Sequence, residues 1–444
     1  MNALTRIFAS LAVLAAPLGA QQLPPVHPLG PVVAVSKTAL GAVSAARQLP
    51  GGRVLVNDIA GRKVVLFDST LAGFVVIADT TSATANAYSS RAGGLIGWKG
   101  DSTLFVDPNS LSMLVIDPAG KVTRVMSAPR ANDVGSLIGG PSGTPAIDAR
   151  GRLVYRAQPQ FRMPAPQPGG GMVMPPMPDS APVVRFDLAE RKLDTVAMVR
   201  IPKQNVSMTQ DDKGRMQVMV TLNPMPVADD WALLSDGSVA VLRGQDYHVD
   251  WVRADGLKAS TPKVPFDWKR LSDDDKTAFL DSARTAMEKL RANAFAQQGG
   301  GAATAGAAAG AARGGPGGDG PQITMRMEGG PPPAGGGRPA PGGSTTATFT
   351  LPPINMVPIS ELPDYAPAFA PGAARGDLDG NLCVRTSKVV NGGSQYDVVN
   401  AKGELTDRVL MPAGRVIAGF GKGGVVYMGV RDSTGVRLEM ARVR

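Results

Sequence analysis

The sequence is poor in the side chains that most often carry catalysis or bind metal ions. Its 444 residues include one cysteine, Cys383, and two histidines, His27 and His248. A single cysteine cannot form an intramolecular disulfide, so the fold must depend on its own apolar core. Two histidines are too few for a zinc site built from several of them. No Gly-x-Ser-x-Gly motif is present either, and the sequence predicts no catalytic residue.

Aromatic residues are scarce at 5%, and beyond the N-terminus no apolar run approaches the length of a transmembrane helix. We therefore predict no membrane span. Residues 1–20 have the pattern of a signal peptide, with Arg6 before an apolar stretch and small residues up to Ala20. The predicted location of the mature chain is secreted or periplasmic.

The net charge of +9 is mild for a chain with 46 basic and 37 acidic residues. The basic residues are scattered along the chain, and no nucleic-acid-binding motif is present. The sequence therefore predicts no nucleic-acid partner.

A short unit recurs six times along the chain. A Gly-containing turn precedes an apolar strand, and a loop leads into a second apolar strand that ends near Asp or Asn, except in the last copy. The copies lie at 51–68, 100–117, 148–187, 235–252, 379–400 and 423–440. Radially stacked blades cover such strands on both faces. The predicted fold class is therefore all-β, a six-bladed β-propeller; a pair of β-sandwiches is the alternative, but it leaves the recurring unit unexplained.

The sixth unit ends with the chain and lacks an outer strand. A strand at Val32–Val35 is predicted to supply it and to close the ring, which removes a free sheet edge.

These repeats resemble the six-bladed propellers of the NHL and TolB-like group, in particular its uncharacterised exported bacterial members. The resemblance is strongest at Leu362–Phe369 followed by Asp379–Arg385, and it covers about residues 31–262 and 360–444. It implies the fold and export of the chain. Propellers of this kind have many unrelated functions, so it implies no specific activity.

Two insertions divide the predicted propeller. Blades 1–4 occupy 21–262, with a Pro- and Met-rich loop at 159–182, and blades 5 and 6 occupy 360–444. The segment 263–359 is predicted to begin with a helix at 272–295, capped by Ser272 and Asp275. Its apolar face (Phe279, Ala283, Met287 and Leu290) is predicted to pack on the propeller, with a partner-binding or lid helix as the alternative. Residues 297–349 are rich in Gly, Ala and Pro and are predicted to be disordered.

The candidate site residues lie in loops at the predicted channel mouth. Asp229, Asp230 and Asp246 are candidate calcium ligands, because Ca²⁺ prefers carboxylate oxygens. The alternative is that they only form turns. A second group is predicted to bind a small anionic ligand, through two basic side chains and their neighbours: Arg243, Arg385, Asp364 and Tyr365.

The predicted function is a monomeric, exported scaffold that binds an unknown protein or a small anionic ligand, without a cofactor. The alternative is a calcium-dependent hydrolase of the lactonase type with carboxylates at the channel mouth. The absence of Glu from comparable positions counts against that alternative. A structural protein of the cell envelope is a third hypothesis.

Overall fold

The computed structural model describes residues 23–81, 86–89, 93–159, 177–203, 205–210, 216–298, 322–327, 345–350 and 354–443. The predicted signal peptide and most of the predicted loop at 159–182 lie outside these residues. Within the described residues, no helix is long and apolar enough to cross a membrane.

The chain begins with two short strands, β1 (Val26–Pro28) and β2 (Val32–Val35). Three blades follow, each an antiparallel sheet of four strands. Blade 1 contains β3 (Val43–Gln48), β4 (Val54–Asp58), β5 (Lys63–Phe67) and β6 (Phe74–Asp79). Blade 2 contains β7 (Gly94–Gly97), β8 (Thr103–Asp107), β9 (Ser112–Ile116) and β10 (Val122–Ser127). Blade 3 contains β11 (Ala146–Ile147), β12 (Leu153–Arg156), β13 (Ser180–Asp187) and β14 (Lys192–Arg200).

The second half of the chain combines three further blades with inserted elements. A hairpin of β15 (Asn205–Gln210) and β16 (Met216–Leu222) precedes blade 4, which contains β17 (Asp230–Leu233), β18 (Val239–Arg243), β19 (His248–Val252) and β20 (Lys258–Ser260). Then come α1 (Asp273–Gln298), β21 (Gln322–Met327), β22 (Thr345–Thr350) and β23 (Asn355–Met356). Blade 5 contains β24 (Phe369–Gly376), β25 (Leu382–Val390), β26 (Gly393–Val399) and β27 (Leu405–Leu410). Blade 6 contains β28 (Arg415–Phe420), β29 (Val425–Asp432) and β30 (Gly435–Arg442).

The middle strands are apolar on both faces because each sheet packs between two neighbours. In β4, Val54 and Val56 belong to a buried cluster with Tyr427 of blade 6. The alternate residue Leu55 belongs to another cluster, with Phe105 of blade 2. Successive side chains of a strand point to opposite faces, so one strand contributes to two interfaces. The predicted six-bladed propeller is confirmed.

The ring closes through the N-terminal strand, as predicted. β2 pairs antiparallel with β30, with Val35 opposite Glu439. β1 adds an unpredicted fifth strand to blade 5 by pairing parallel with β27. A hydrogen bond of 2.7 Å joins His27 Nε2 of β1 to Asp407 Oδ1 of β27. The N-terminal segment therefore holds two adjacent blades together.

Helix α1 begins with the predicted capping box. The Asp275 N–H donates to Ser272 Oγ (3.1 Å), and the Ser272 N–H donates to Asp275 Oδ2 (3.1 Å). The helix packs on its own chain through Leu280, which is buried with Val357 and Leu362. Leu280 was not on the predicted apolar face, and Leu290, which was, is 68% exposed. Contact is therefore concentrated in the first half of the helix.

Two parts of the chain contain strands that the sequence did not predict. The hairpin β15–β16 extends into a three-stranded sheet with β23. Within the segment predicted to be disordered, β21 pairs with β22, which runs one residue beyond that segment. The remainder of 297–349 lies outside the described residues apart from the end of α1, so disorder there stays a prediction.

Candidate functional site

The first strand of each blade lines the central channel and ends in a similar turn. In each turn the N–H of one residue donates to the carbonyl four residues later: Leu49 to Arg53, Trp98 to Ser102, Asp148 to Arg152, Leu234 to Ser238, Asp377 to Asn381, and Gly421 to Val425. These hydrogen bonds align the six inner strands residue by residue. Positions at the same level of the channel can therefore be compared between blades.

At one position of the inner strands, four blades have a small or apolar residue and two have an arginine. Two residues before the turn, four of the blades have small or apolar residues, namely Ile96, Ala146, Ala232 and Gly419. Blade 1 has Arg47 at this position and blade 5 has Arg375. Because four blades form the same strand and turn without a charged residue here, the arginines are not needed for the blade structure.

Arg47 extends from blade 1 across the inner strand of blade 2. Its Nη1 donates to the carbonyl of Asp101 (2.9 Å) and to Thr103 Oγ1 (2.6 Å). Gly97 gives the side chain its space, since a Cβ there would lie 3.1 Å from Arg47 Nε. Among the described residues, no carboxylate lies within 4.0 Å of this guanidinium. Burial lowers the pKa of Arg47, partly offset by the charge of Asp101.

Arg375 has a similar environment between blades 5 and 6. Its Nη1 donates to the carbonyl of Ile417 (2.8 Å), and the described residues place no carboxylate within 4.0 Å. Burial lowers the pKa of Arg375, and the nearby positive charge of Arg385 acts in the same direction, whereas Tyr396 and the more distant carboxylate of Asp230 act against them. Both guanidiniums are thus partly removed from water, with only neutral hydrogen-bond partners.

The two arginines line a funnel of about 1220 Å³ formed by the ends of all six inner strands. Three exposed cations, Lys99, Arg150 and Lys422, lie at its rim. Asp148 and Asp377 also line it, but their carboxylates accept hydrogen bonds from their own turns. Asp101 is exposed. The funnel is therefore basic overall.

A segment that follows blade 2 spans the channel. It contains two 3-10 turns, Ala131–Leu137 and Gly140–Ser142. Gly94 of blade 2 packs against its first part, and Gly372 of blade 5 packs against Gly140. Trp231 Nε1 donates to the Ser142 carbonyl (2.9 Å), and Arg156 donates to Ser142 Oγ (2.9 Å). Ile138 to Gly140 also line the funnel, so this segment forms part of its wall.

Three of the predicted site residues belong to one network of ion pairs and hydrogen bonds on blade 4, away from the funnel lining. Arg243 bonds to Asp229 through Nη1 (2.7 Å) and to Asp250 through Nε (2.7 Å). His248 Nε2 lies 3.3 Å from Asp250, and His248 Nδ1 lies 2.6 Å from Asp246. Asp250 and His248 were not predicted as site residues. The sequence pattern that could have revealed them is the alternation of polar residues at 246, 248 and 250. This alternation places His248 and Asp250 on the same face of β19.

Asp229 and Asp230 are adjacent in sequence but have different surroundings. Asp229 also accepts hydrogen bonds from the backbone N–H groups of Arg200 and Gly244. Asp230 is fully buried and accepts from the N–H groups of Trp231 (2.9 Å) and Ala374 (2.8 Å). Desolvation raises its pKa to about 6, against the effect of these hydrogen bonds. Among the described residues, no group of three or more His, Cys, Asp or Glu side chains could hold a metal ion.

The remaining predicted ligand residues are also separated. Asp364 forms an ion pair with Lys276 of α1 (2.9 Å), which lowers the pKa of this exposed carboxylate. Tyr365 is half exposed and pairs through its backbone with Arg270. Arg385 is half-buried in β25 and is electrostatically coupled to Arg375. Among the interactions described, Arg385 is the only one of the four predicted anion-binding residues whose charge acts on a funnel arginine.

Sequence reasoning missed Arg47 and Arg375. Both precede the conspicuous turns, where a scattered arginine has no distinguishing feature. The signal becomes visible only when the six inner strands are aligned on their turns.

No protein family model and no curated protein matches the sequence. Solved structures with a similar trace include a putative gluconolactonase (12% identity, 95% of this chain and 98% of that chain, TM-score 0.37). Virginiamycin B lyase from Staphylococcus aureus is 8% identical over 93% of this chain and 87% of its own, with a TM-score of 0.32. Regucalcin from Agrobacterium tumefaciens strain C58, described as a calcium-binding protein, is 8% identical over 94% of this chain and 98% of its own, with a TM-score of 0.32. Structural similarity this weak gives no information about the function of the site.

Proposed function

We propose that this protein is an exported binding scaffold whose central funnel binds a small anion through Arg47 and Arg375. The single observation that carries this proposal is the presence of two partly buried guanidiniums without a carboxylate partner at equivalent positions of two blades. Export rests on the N-terminal sequence alone.

The physical argument concerns the free energy of a partly buried charge that has no counter-charge in contact with it. Removing a cation from water without a counter-charge is unfavourable, and proteins normally pair such groups. A guanidinium also has five N–H donors, and the hydrogen bonds described use only Nη1 of each arginine. A carboxylate or phosphate would supply both the missing charge and the missing acceptors.

Binding is a better-supported role for the funnel than catalysis. Among the described residues that line it there is no histidine, cysteine or glutamate. Its polar groups are mainly cations and turn-forming carboxylates. Such a surface can hold an anion, whereas acid–base catalysis needs a group that exchanges protons near neutral pH.

The test is a calorimetric titration of the mature chain with inorganic phosphate and with acetate at constant ionic strength. We expect saturable binding that is weakened at least about tenfold by Arg47→Met or Arg375→Met, equivalent to about 1.4 kcal/mol. Lys422→Gln at the exposed rim is the matched control and should change affinity less than about twofold. Equal affinity in the wild type and both arginine variants would refute the proposal.

The calcium-dependent hydrolase remains the alternative. Its proposed ligands do not fit well, because Asp229 is bonded to Arg243, Asp246 is bonded to His248, and the Asp230 carboxylate accepts backbone N–H groups. Thermal unfolding in EDTA and then in Ca²⁺ tests it. A tight site raises stability by about 2.7 kcal/mol at a hundredfold excess over Kd, and we expect no such rise.

A further inference from the structure

A second cavity, of about 380 Å³, lies between blades 5 and 6 beside the funnel. Its walls include five apolar or weakly polar side chains: Cys383, Val398, Phe420, Val425 and Val443. We call it the interblade cleft. It shares Asp377 and Phe420 with the funnel wall, so the two spaces adjoin. Its volume lies within the range of small-molecule pockets.

Arg375 connects the two spaces. It lies directly opposite Cys383 in the pairing of β24 with β25. Cross-strand neighbours of this kind have Cβ atoms about 5 Å apart on the same face of the sheet. That face is turned toward blade 6, since Arg375 bonds to the Ile417 carbonyl and Cys383 lines the cleft. A guanidinium and an apolar cleft are therefore adjacent.

The cleft also has three carboxylates at its edge, but each has partners. Asp377 accepts the N–H groups of Asp379 and Asn381. Asp379 accepts those of Gly423 (3.1 Å) and Gly424 (2.7 Å), and Asp407 is bonded to His27. These interactions hold the turns of blades 5 and 6 together. The cation at Arg375, in contrast, has only a neutral partner.

We propose that the anion bound in the funnel is amphipathic: a carboxylate whose head group binds Arg375 and whose apolar chain lies in the interblade cleft. This inference rests on the proposed function and adds the chemical class of the ligand. The ligand needs a negative charge because its head group contacts Arg375. It needs an apolar chain because the walls of the adjacent cleft are largely apolar.

The experiment compares octanoate, acetate and octylammonium by calorimetry on the mature chain at constant ionic strength. Burial of each methylene group should tighten binding by roughly two- to fourfold, so octanoate should bind far more tightly than acetate. Octylammonium, which has the same chain and the opposite charge, should bind weakly. Tighter binding of octylammonium than of octanoate would overturn the inference and indicate that the edge carboxylates select a cation.

Two variants fill the cleft and keep both arginines. Cys383→Phe occupies its interior, and Val443→Trp occupies it from a half-buried position that should tolerate a larger side chain. Either should reduce the affinity for octanoate to nearly that for acetate. Val443→Trp, which is not a cross-strand neighbour of Arg375, should also leave acetate binding unchanged. Val443→Trp keeps the test valid if Cys383→Phe does not fold.

The outcomes separate the two proposals. If acetate and phosphate bind but octanoate has no advantage, or if the filled variants keep that advantage, the amphipathic ligand is wrong and the anion site stands. If none of the three anions binds, the proposed function fails as well. Binding of octanoate that survives Arg375→Met with unchanged affinity would also overturn the inference.

Discussion

Two regions of this propeller concentrate charge, and they differ in how that charge is neutralised. On blade 4, Arg243 lies between Asp229 and Asp250, and the imidazole of His248 connects Asp250 to Asp246. In the funnel, Arg47 and Arg375 contact only carbonyl and hydroxyl oxygens. Paired charges of the first kind maintain the fold. Unpaired, partly buried charges of the second kind are costly to the fold, and we propose that a ligand neutralises them.

The largest expected effect concerns Asp230, a fully buried carboxylate whose charge also acts on Arg375 without direct contact. Its pKa is raised to about 6 from an ordinary value of 3.8. The folded state therefore holds this proton more tightly than the unfolded state. The resulting stability is fully present below about pH 4 and is lost as the pH rises through about 6. We expect wild-type stability to fall by roughly 2–3 kcal/mol relative to Asp230→Asn between pH 4 and pH 7.

Urea unfolding of both proteins across this pH range checks the prediction. Asp273→Asn, at an exposed position, is the matched control for the substitution itself. Parallel pH curves for the wild type and Asp230→Asn would mean that burial does not govern the ionisation of Asp230.

The next effect concerns the paired region. Arg243→Met removes the shared partner of Asp229 and Asp250, and leaves Asp229, which is only 9% exposed, with backbone donors alone. Because an uncompensated carboxylate remains, we expect a loss of roughly 2 kcal/mol in the free energy of unfolding. Chemical denaturation measures it. A loss below about 0.5 kcal/mol would show that the blade 4 ion pairs do not stabilise the fold.

The funnel should behave in the opposite way. Arg375→Met removes an unpaired charge and one hydrogen bond to the Ile417 carbonyl. The two effects oppose each other, so the free energy of unfolding without ligand should change by less than about 1 kcal/mol in either direction. Thermal unfolding in a buffer free of small carboxylates and phosphate tests this expectation, with Arg243→Met as the comparison.

The smallest effect is expected at the rim of the funnel. Lys422 is exposed, and its ammonium has no partner among the described residues. Lys422→Gln should change stability by less than about 0.5 kcal/mol. A larger change, measured by the same denaturation, would mean that exposed rim charges contribute as much as the buried arginines.

The sequence predicted the architecture well because the repeat is carried by local turn chemistry and by strands apolar on both faces. Val32–Val35 was predicted as the closing strand for the same reason, since the sixth unit visibly lacked one. The pairing of β1 with β27 was not predicted, because a three-residue strand has no periodicity to detect. The hairpin β15–β16 was missed because it lies between blades, where no repeat marks it.

The candidate site was harder to predict. Asp229, Asp246 and Arg243 are conspicuous loop residues, and the structure joins them through Asp250 and His248 in one network. Asp230 was grouped with Asp229 because it is the next residue, yet strand alternation turns it toward the buried side. Arg47 and Arg375 could not be identified from the sequence, because what distinguishes them is the lack of a carboxylate in contact with the guanidinium. That property depends on contacts between different blades.

The most direct test measures the free energy of unfolding of the wild type and Arg375→Met, each with and without saturating octanoate. Without octanoate, the two proteins should be equally stable to within about 1 kcal/mol. With octanoate, only the wild type should gain stability, by about 2.7 kcal/mol at a hundredfold excess over Kd. If Arg375→Met loses as much stability without ligand as Arg243→Met does, and octanoate stabilises both proteins equally, Arg375 is a structural residue and the central claim is wrong.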